Sequence, residues 1–310
     1  MRGTLFLGIA DNNRCASVVV GNSSGEIVSA GIGGSLNPHR WGIRRARSNL
    51  EKIREAVGFE VWSRLAGVCF TYKRGMQVTD EEMRPVVSGF LAQRYVQIED
   101  FATTSTLGIH SPKERLLLVG GQIGSAILHA ENGVRYQTRH EEYAWNPLQR
   151  VGSRLGSIVA CGTEQDLTDY LRIKELEQSG ECLFHLATFL DRLVEQGNPW
   201  ALSVACDIAW DLYKLVTTLA RWISRPDPVI GFYGPLLLGS DTIRRRVQYL
   251  IGLTYPQAEI IDAPLAPAKG AYLSSVLTRK TELEQEVLTT FYHSARSIME
   301  RGWLDFVTNN

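Results

Sequence analysis

One pattern limits the possible folds more than any other: the chain opens as a β-meander, and the same opening appears again further along. Leu5 to Ile9 and Ser17 to Gly21 are apolar runs rich in β-branched residues, and Glu26 to Ala30 is a third run after the turn residues Asn22-Ser23-Ser24-Gly25. From Arg115 the pattern recurs. Leu116 to Val119 and Ser125 to Ala130 are separated by the Gly120–Gly124 turn, and Glu131-Asn132-Gly133 is a hairpin signal ahead of Val134 to Thr138. Helices and further strands follow each meander. This is repetition of architecture, since no short-period sequence self-similarity accompanies it.

Behind the first meander comes a glycine-rich loop from Gly31 to His39, then a helix in which Ile43, Ala46, Leu50, Ile53 and Val57 keep helical spacing. Arg44, Arg45, Arg47, Lys52 and Arg54 fall on its other faces, as a solvated surface or as a grip for phosphate. Trp41 stands at the start of this helix and is read as core packing, with stacking on a ligand ring as the alternative. Leu65 to Phe70 is a buried-type strand, Asp80 to Gln93 an amphipathic helix, Tyr95 to Ile98 a strand, and Phe101 to Leu107 a helix of small residues. The second half reads as a mainly helical run from Gly162 to Ile223, a strand at Val229 to Tyr233, a basic helix at Asp241 to Leu250, a strand at Glu259 to Ile261, and a helix at Gly270 to Leu277. A last helix over Thr281 to Phe306 carries Leu283, Val287, Phe291, Ala295 and Ile298 on one stripe.

Composition excludes several classes. Lysine plus arginine equals aspartate plus glutamate at 33 each, which argues against nucleic acid or acidic membrane held by bulk charge. No run of about eighteen apolar residues is present, and the start lacks the shape of a secretory signal, so the cytoplasm is the expected compartment. Cys15, Cys69, Cys161, Cys182 and Cys206 are scattered with no CxxC pair, and the histidines have no metal-ligand spacing.

At this level of detail the chain resembles the N-acetylglucosamine kinase and BadF-type ATPase family, within the superfamily of actin, hexokinases and chaperone ATPases. Phe6 to Ala30 lies without gaps on that family's opening. Gly34-Ser35-Leu36-Asn37-Pro38 is similar to its sugar loop, and Glu99-Asp100-Phe101-Ala102 to the Asp-Ala that begins its interlobe helix. Leu116 to Gly133 resembles the second phosphate hairpin, and Arg150 to Gly162 the Gly-Asp-Glu-Gly-Ser segment. Val229 to Arg246 resembles the nucleoside-binding turn and helix, and Pro264 to Ser275 the final Pro–Gly-Ala helix. The resemblance implies an α/β chain of two ribonuclease-H-like lobes, the actin/hexokinase ATPase fold, with an interlobe cleft. The lobes are expected at 1–110 and 111–281, with the tail helix at 282–310 packing on the first.

The departures from the family concentrate at the phosphates. Where its first hairpin carries an acidic residue, three glycines and a threonine, this chain has Ala10, Asp11, Asn12, Asn13 and Arg14. Glycines there let backbone N–H groups reach phosphate oxygens, and the acidic residue organises water around magnesium. Asparagine and aspartate tolerate left-handed turns, so the hairpin itself is expected to form. Asp11 is one residue displaced, which on a strand turns its side chain to the opposite face. In the second hairpin Gly121-Gln122-Ile123-Gly124 replaces Gly-Thr-Gly-Ser, and Gly152-Ser153-Arg154 stands where Gly-Asp-Glu is usual.

Carried over by resemblance, Asp100 is the general base that takes a proton from a sugar hydroxyl, with an N-cap role as the alternative. Asn37, Ser153 and Gly121 are the substrate-side candidates, Asn37 being equally readable as a turn residue. Asp11, Asn12, Asn13, Arg14, Gln122, Gly124, Gly234 and Gly239 are the nucleotide-side candidates, and Asp11 is the candidate for magnesium. Arg14 and Arg154 are read as solvated arginines, with replacement of a lost cation at phosphate as the alternative. The expected partner is a small molecule of amino-sugar type, with ATP and Mg2+ if the chain is active, and without nucleic acid or membrane. A homodimer is left open. Three functions follow: a kinase-like protein with weakened or lost ATP use, an active sugar kinase or ATPase with remodelled contacts, and a non-catalytic interaction module.

Overall fold

The computed structural model describes residues 4–12, 15–72, 79–88, 95–109, 114–121, 124–131, 134–139, 147–175, 182–277, 287–291 and 294. Asn13, Arg14, Gln122 and Ile123 lie outside them, as does most of the expected tail helix. The chain divides into two compact units, Met1–His110 with Leu265–Asn310, and Ser111–Pro264.

The first unit contains β1 (Leu5–Asp11), β2 (Cys15–Asn22), β3 (Ile27–Gly34), α1 (Pro38–Val57), α2 (Phe59–Ser63), β4 (Leu65–Tyr72), α3 (Asp80–Val87), β5 (Tyr95–Asp100) and α4 (Phe101–Leu107). Its five-stranded sheet runs β3-β2-β1-β4-β5, antiparallel through the meander and parallel from β1 to β4 and β5. Both faces of β1 are covered, which is why its sequence reads as a continuous apolar run. Leu5, Leu7 and Ile9 pack with Ala46, Leu50 and Ile53 of α1. Phe6 and Ala10 turn to the other face.

The second unit repeats this plan. Its elements are β6 (Arg115–Gly120), β7 (Gly124–His129), β8 (Arg135–Arg139), α5 (Pro147–Ser153), α6 (Leu155–Ala160), α7 (Glu164–Glu175), α8 (Cys182–Glu195), α9 (Pro199–Leu219), a 3-10 turn at Ala220–Trp222, β9 (Val229–Tyr233), α10 (Pro235–Gly239), α11 (Asp241–Thr254) and β10 (Glu259–Asp262). The sheet order, β8-β7-β6-β9-β10, matches the first unit strand for strand. Its core lies between the sheet and α8, α9 and α11, with Leu116, Leu118, Leu186, Ile208, Leu212 and Val247 fully buried.

The last described long helix, α12 (Ala266–Leu277), corrects the expected boundary. Placing 111–281 in one lobe assigns this helix to the wrong sheet. All but the last of its residues are buried, so it must be enclosed on every side. Its cover is β1, β4 and α4 of the first unit. Glycines permit the fit. A Cβ on Gly270 would lie 1.6 Å from the Thr104 carbonyl oxygen, and one on Gly8 would lie 2.2 Å from that of Ala268. Tyr272 anchors the helix by donating to the Asn22 carbonyl at 2.5 Å. Of the tail, residues 287–291 are helical, and Val287 and Phe291 are buried in the first unit, with the Phe291 ring tilted against Tyr272.

Some expected bounds shift. Gly31–Gly34, read as loop, continues β3, because its backbone pairs with Cys15 to Val18. α1 begins at Pro38 rather than Ile43, capped by Asn37, with a kink at Gly42 where φ is 75°. Trp41 is not core. It is half-exposed, with the Arg45 and Arg40 guanidinium groups 4.8 and 5.4 Å from its ring centroid.

Candidate functional site

In the first unit, the three parallel strands end level. Asp11 is in register with Tyr72 on β4, and Tyr72 with Asp100 on β5. In open α/β sheets the carboxyl ends of the strands are where ligands bind. Neighbouring strands are about 4.8 Å apart, so the Asp11 and Asp100 backbones sit roughly 10 Å apart along this edge. The backbone of Asp100 closes β5, directly before α4. Thr71 donates to the Glu99 carbonyl at 3.0 Å and Thr104 donates to the Thr71 hydroxyl at 3.0 Å, which fixes the β5–α4 junction against β4.

The Asp11 carboxylate is buried, and it faces the chain's own loop. It accepts the Ser35 hydroxyl at 3.0 Å and the Leu36 N–H at 2.5 Å. Ser35 in turn accepts the Asn37 N–H at 3.2 Å, and its carbonyl receives the Asn49 amide at 2.7 Å. Asn37 is buried and serves as the N-cap of α1, accepting from the His39 and Arg40 N–H groups. The segment that resembles a sugar loop is therefore a bracket that starts a helix. Beside it, burial first and the charge of Asp11 second push the Tyr72 phenol well above its ordinary range. Sequence reasoning missed Tyr72, whose register with Asp11 is set only when β1 and β4 pair.

The β1–β2 hairpin forms without the family's glycines. The Asn12 N–H donates to the Cys15 carbonyl at 3.2 Å, and the Asn12 side chain accepts the Cys15 N–H at 3.1 Å. This side-chain bond joins residues three apart and ties the end of β1 to the start of β2.

In the second unit, Gly120 pairs with Gly124 at the base of the β6–β7 hairpin, and Gly121 is buried beyond it. Gly234, with φ of 97°, abuts this hairpin: a Cβ there would be 2.8 Å from the Gly120 carbonyl oxygen. Its freedom is used for close contact between two backbones. Gly239 faces the Phe184 ring, 3.1 Å from where its Cβ would lie. Ser153 is exposed and donates to the Arg150 carbonyl at 2.9 Å.

Arg154, expected as a possible phosphate grip, is directed elsewhere. It donates to Ser203 at 2.8 Å and pairs with Asp207 at 2.7 Å, both on α9. Arg150 pairs with Asp211 one turn further along the same helix. The stretch corresponding to the Gly-Asp-Glu-Gly-Ser segment is thus clamped to α9 by two arginines. Among the described residues no group of three His, Cys, Asp or Glu side chains is placed to hold a metal, and no helix is long and apolar enough to cross a membrane.

A further group emerges only from the fold. Lys269, on α12, is 8% exposed, and burial lowers its ammonium to about 8. In sequence it looks like one charged residue among alanines, and only the complete enclosure of the helix makes it unusual.

Comparison with solved structures decides the fold. A Porphyromonas gingivalis protein assigned as an N-acetylglucosamine kinase superposes with a TM-score of 0.64 at 13% identity, over 90% of this chain and 99% of that one. The chain carries the actin–hexokinase ATPase fold. A ROK family glucokinase from Streptomyces griseus, solved with glucose and AMPPNP, shares this ATPase fold at a TM-score of 0.55 and 14% identity, over 87% of this chain and 99% of that one. A ROK family transcriptional regulator, a homolog of the E. coli MLC protein, matches at 0.55 and 11% identity, over 96% of this chain and 82% of that one. No family model and no curated protein sequence matches. The two mixed five-stranded sheets of this chain, identical in strand order and each with its helices, accord with that match.

Proposed function

We propose that this chain is an N-acetylglucosamine-kinase-like protein in which ATP-dependent phosphoryl transfer is weakened or lost, and which retains a site for a small ligand of amino-sugar type. The observation that carries this reading is the Asp11 carboxylate, buried and bonded to Ser35 and Leu36 at the strand end where a phosphate-holding hairpin needs an open acid. The preceding position, where the family places its acidic residue, is Ala10.

A magnesium-bound triphosphate calls for oxygen ligands and for hairpin N–H groups free of side chains. The described residues do not fit that group. Asp11 is turned to the α1 loop, Asn12 closes its own turn, and Arg154 is held on α9. The remaining cation candidate, Arg14, lies outside the described residues.

One observation favours the alternative of an active sugar kinase or ATPase with ATP and Mg2+. Asp100, the residue that resemblance makes the general base, stands at the carboxyl end of β5 in register with Tyr72. A panel of amino sugars with Mg-ATP separates the two. The proposed reading expects no turnover above background and saturable heat on titrating N-acetylglucosamine alone. Turnover that Asp100→Ala abolishes establishes the active kinase instead.

A further inference from the structure

The second unit carries a stripe of apolar and aromatic residues that its own core does not use. Along α9, Leu202, Cys206, Trp210 and Tyr213 recur at intervals of four, four and three, which is one side of a helix. The opposite side, with Val204, Ile208 and Leu215, is buried in the core. Leu202 and Trp210 are 45% and 49% exposed, and the Trp210 and Tyr213 rings are 5.4 Å apart.

α11 continues the stripe. It packs beside α9, and the Tyr213 and Thr254 hydroxyl groups are 2.6 Å apart. α9 lies over β6, β7 and β8, whereas Arg244 of α11 reaches Asp262 on β10 at 3.2 Å, at the far edge of the sheet. Leu253 is nine residues beyond Arg244, two and a half helical turns, and so points the other way, to the α9 side. Tyr249 stands one turn before Leu253, and the two are 57% and 66% exposed.

Exposed fractions of this size on large side chains amount to roughly 500 Å2 of adjoining apolar and aromatic surface, which is interaction-site size for a globular chain. A stable protein interface covers about 800 Å2 on each partner, so the stripe and its immediate margin supply the area that one needs. Its composition agrees, since tryptophan and tyrosine are enriched at interface centres and charged residues are depleted there.

Charge identifies the occupant. None of the six stripe residues is charged, and charged neighbours are engaged within the chain. Asp207 pairs with Arg154, Asp211 with Arg150 and Lys214, and the Arg246 guanidinium lies over the Tyr249 ring at 5.4 Å. A surface of one charge sign calls for a partner of the other sign and repels a copy of itself. An uncharged aromatic stripe is instead complementary to itself across a twofold axis, and this chain has equal numbers of basic and acidic residues to bring to such a meeting, 33 of each.

We propose that this face of α9 and α11 is the contact surface of a homodimer, in which a second copy of the chain lays the same stripe across it. Trp210 and Tyr249 are its anchors. The proposal does not rest on the kinase-like reading.

Sedimentation velocity on the full chain, over about 1–100 μM, tests this. A species of twice the chain mass is expected. Trp210→Glu and Leu253→Glu should each weaken self-association about thirtyfold or more, with far-ultraviolet circular dichroism unchanged. Phe59→Glu, at an exposed position in the first unit, is the control that should leave the dimer intact. Leu253→Glu keeps the test valid if Trp210→Glu does not fold. A chain that stays monomeric over the whole range overturns the proposal, as does a dimer that both stripe variants leave unchanged. A dimer that survives both variants and is lost on removal of residues 295–310 places the contact in the tail and overturns it equally.

Discussion

Asp11 and Tyr72 stand side by side at the ends of paired strands β1 and β4, and the carboxylate is directed into the Ser35–Leu36 loop. An acid at this edge of the sheet is thereby used to build the protein. It holds the loop that presents Asn37 as the N-cap of α1, so one buried side chain links the central strand to the longest described helix of its unit.

Removing that acid has a definite consequence. Asp11→Ala leaves the Ser35 hydroxyl and the Leu36 N–H without their buried acceptor, and should lower the urea-unfolding free energy by about 2–3 kcal/mol. Asp11→Asn retains one acceptor oxygen and should lose about 1 kcal/mol. Equal stability of all three proteins would remove the structural role assigned to this residue.

The close approach of α12 to α4 yields a second prediction. Gly270→Ala sets a methyl group against the Thr104 carbonyl, where neither backbone can yield cheaply, and should cost more than about 3 kcal/mol. Gly156→Ala, in α6 with nothing within 4 Å of the new Cβ, is the matched control. It should be neutral or stabilising by up to about 1 kcal/mol through helix propensity. Thermal unfolding of the two variants distinguishes them directly.

Lys269 predicts a pH dependence with a definite sign. Its folded value of about 8 is below the ordinary 10.5, so the unfolded chain binds more protons between these two values. Stability from this group therefore rises as pH increases from about 8 to 10.5, and the full penalty applies below that window. The difference corresponds to roughly 3 kcal/mol. Lys269→Met should accordingly stabilise the protein at pH 7 and flatten the alkaline part of its stability profile. A profile of unchanged slope would contradict the burial of the ammonium group.

The second unit offers a weaker electrostatic test. Arg154 and Asp207 are each about a third or more exposed, so a double-mutant cycle on unfolding should return a coupling of only about 0.5–1 kcal/mol. If Arg154 instead gripped a ligand phosphate, its loss would weaken phosphate binding and leave this coupling near zero.

Much of the architecture was legible in the sequence because it is written in local patterns. The Val18-Val19-Val20 run, the Asn22–Gly25 turn and the spacing of Ala46, Leu50, Ile53 and Val57 all fall in the elements they predict. Gly31–Gly34 misled, since glycines suggest a loop, whereas here Gly33 lies under Ile53 and Gly34 under Asn49 of α1, and both need the space. α1 could have been started correctly from Asn37-Pro38, a helix-start signal that the flexible Gly42 obscured. The candidate site was less readable, because each decisive contact is distant in sequence. Nothing near Asp11 announces Ser35, nothing near Arg154 announces Asp207, and no local pattern assigns α12 to the first sheet.

The central claim is that the acid at the end of β1 serves the fold and is not available to a nucleotide's metal. Calorimetric titration of the purified full chain with ATP, in the presence and absence of Mg2+, tests this most directly. The account predicts at most millimolar affinity, unchanged by magnesium. Magnesium-dependent binding in the micromolar range, lost in Asp11→Asn, would contradict it.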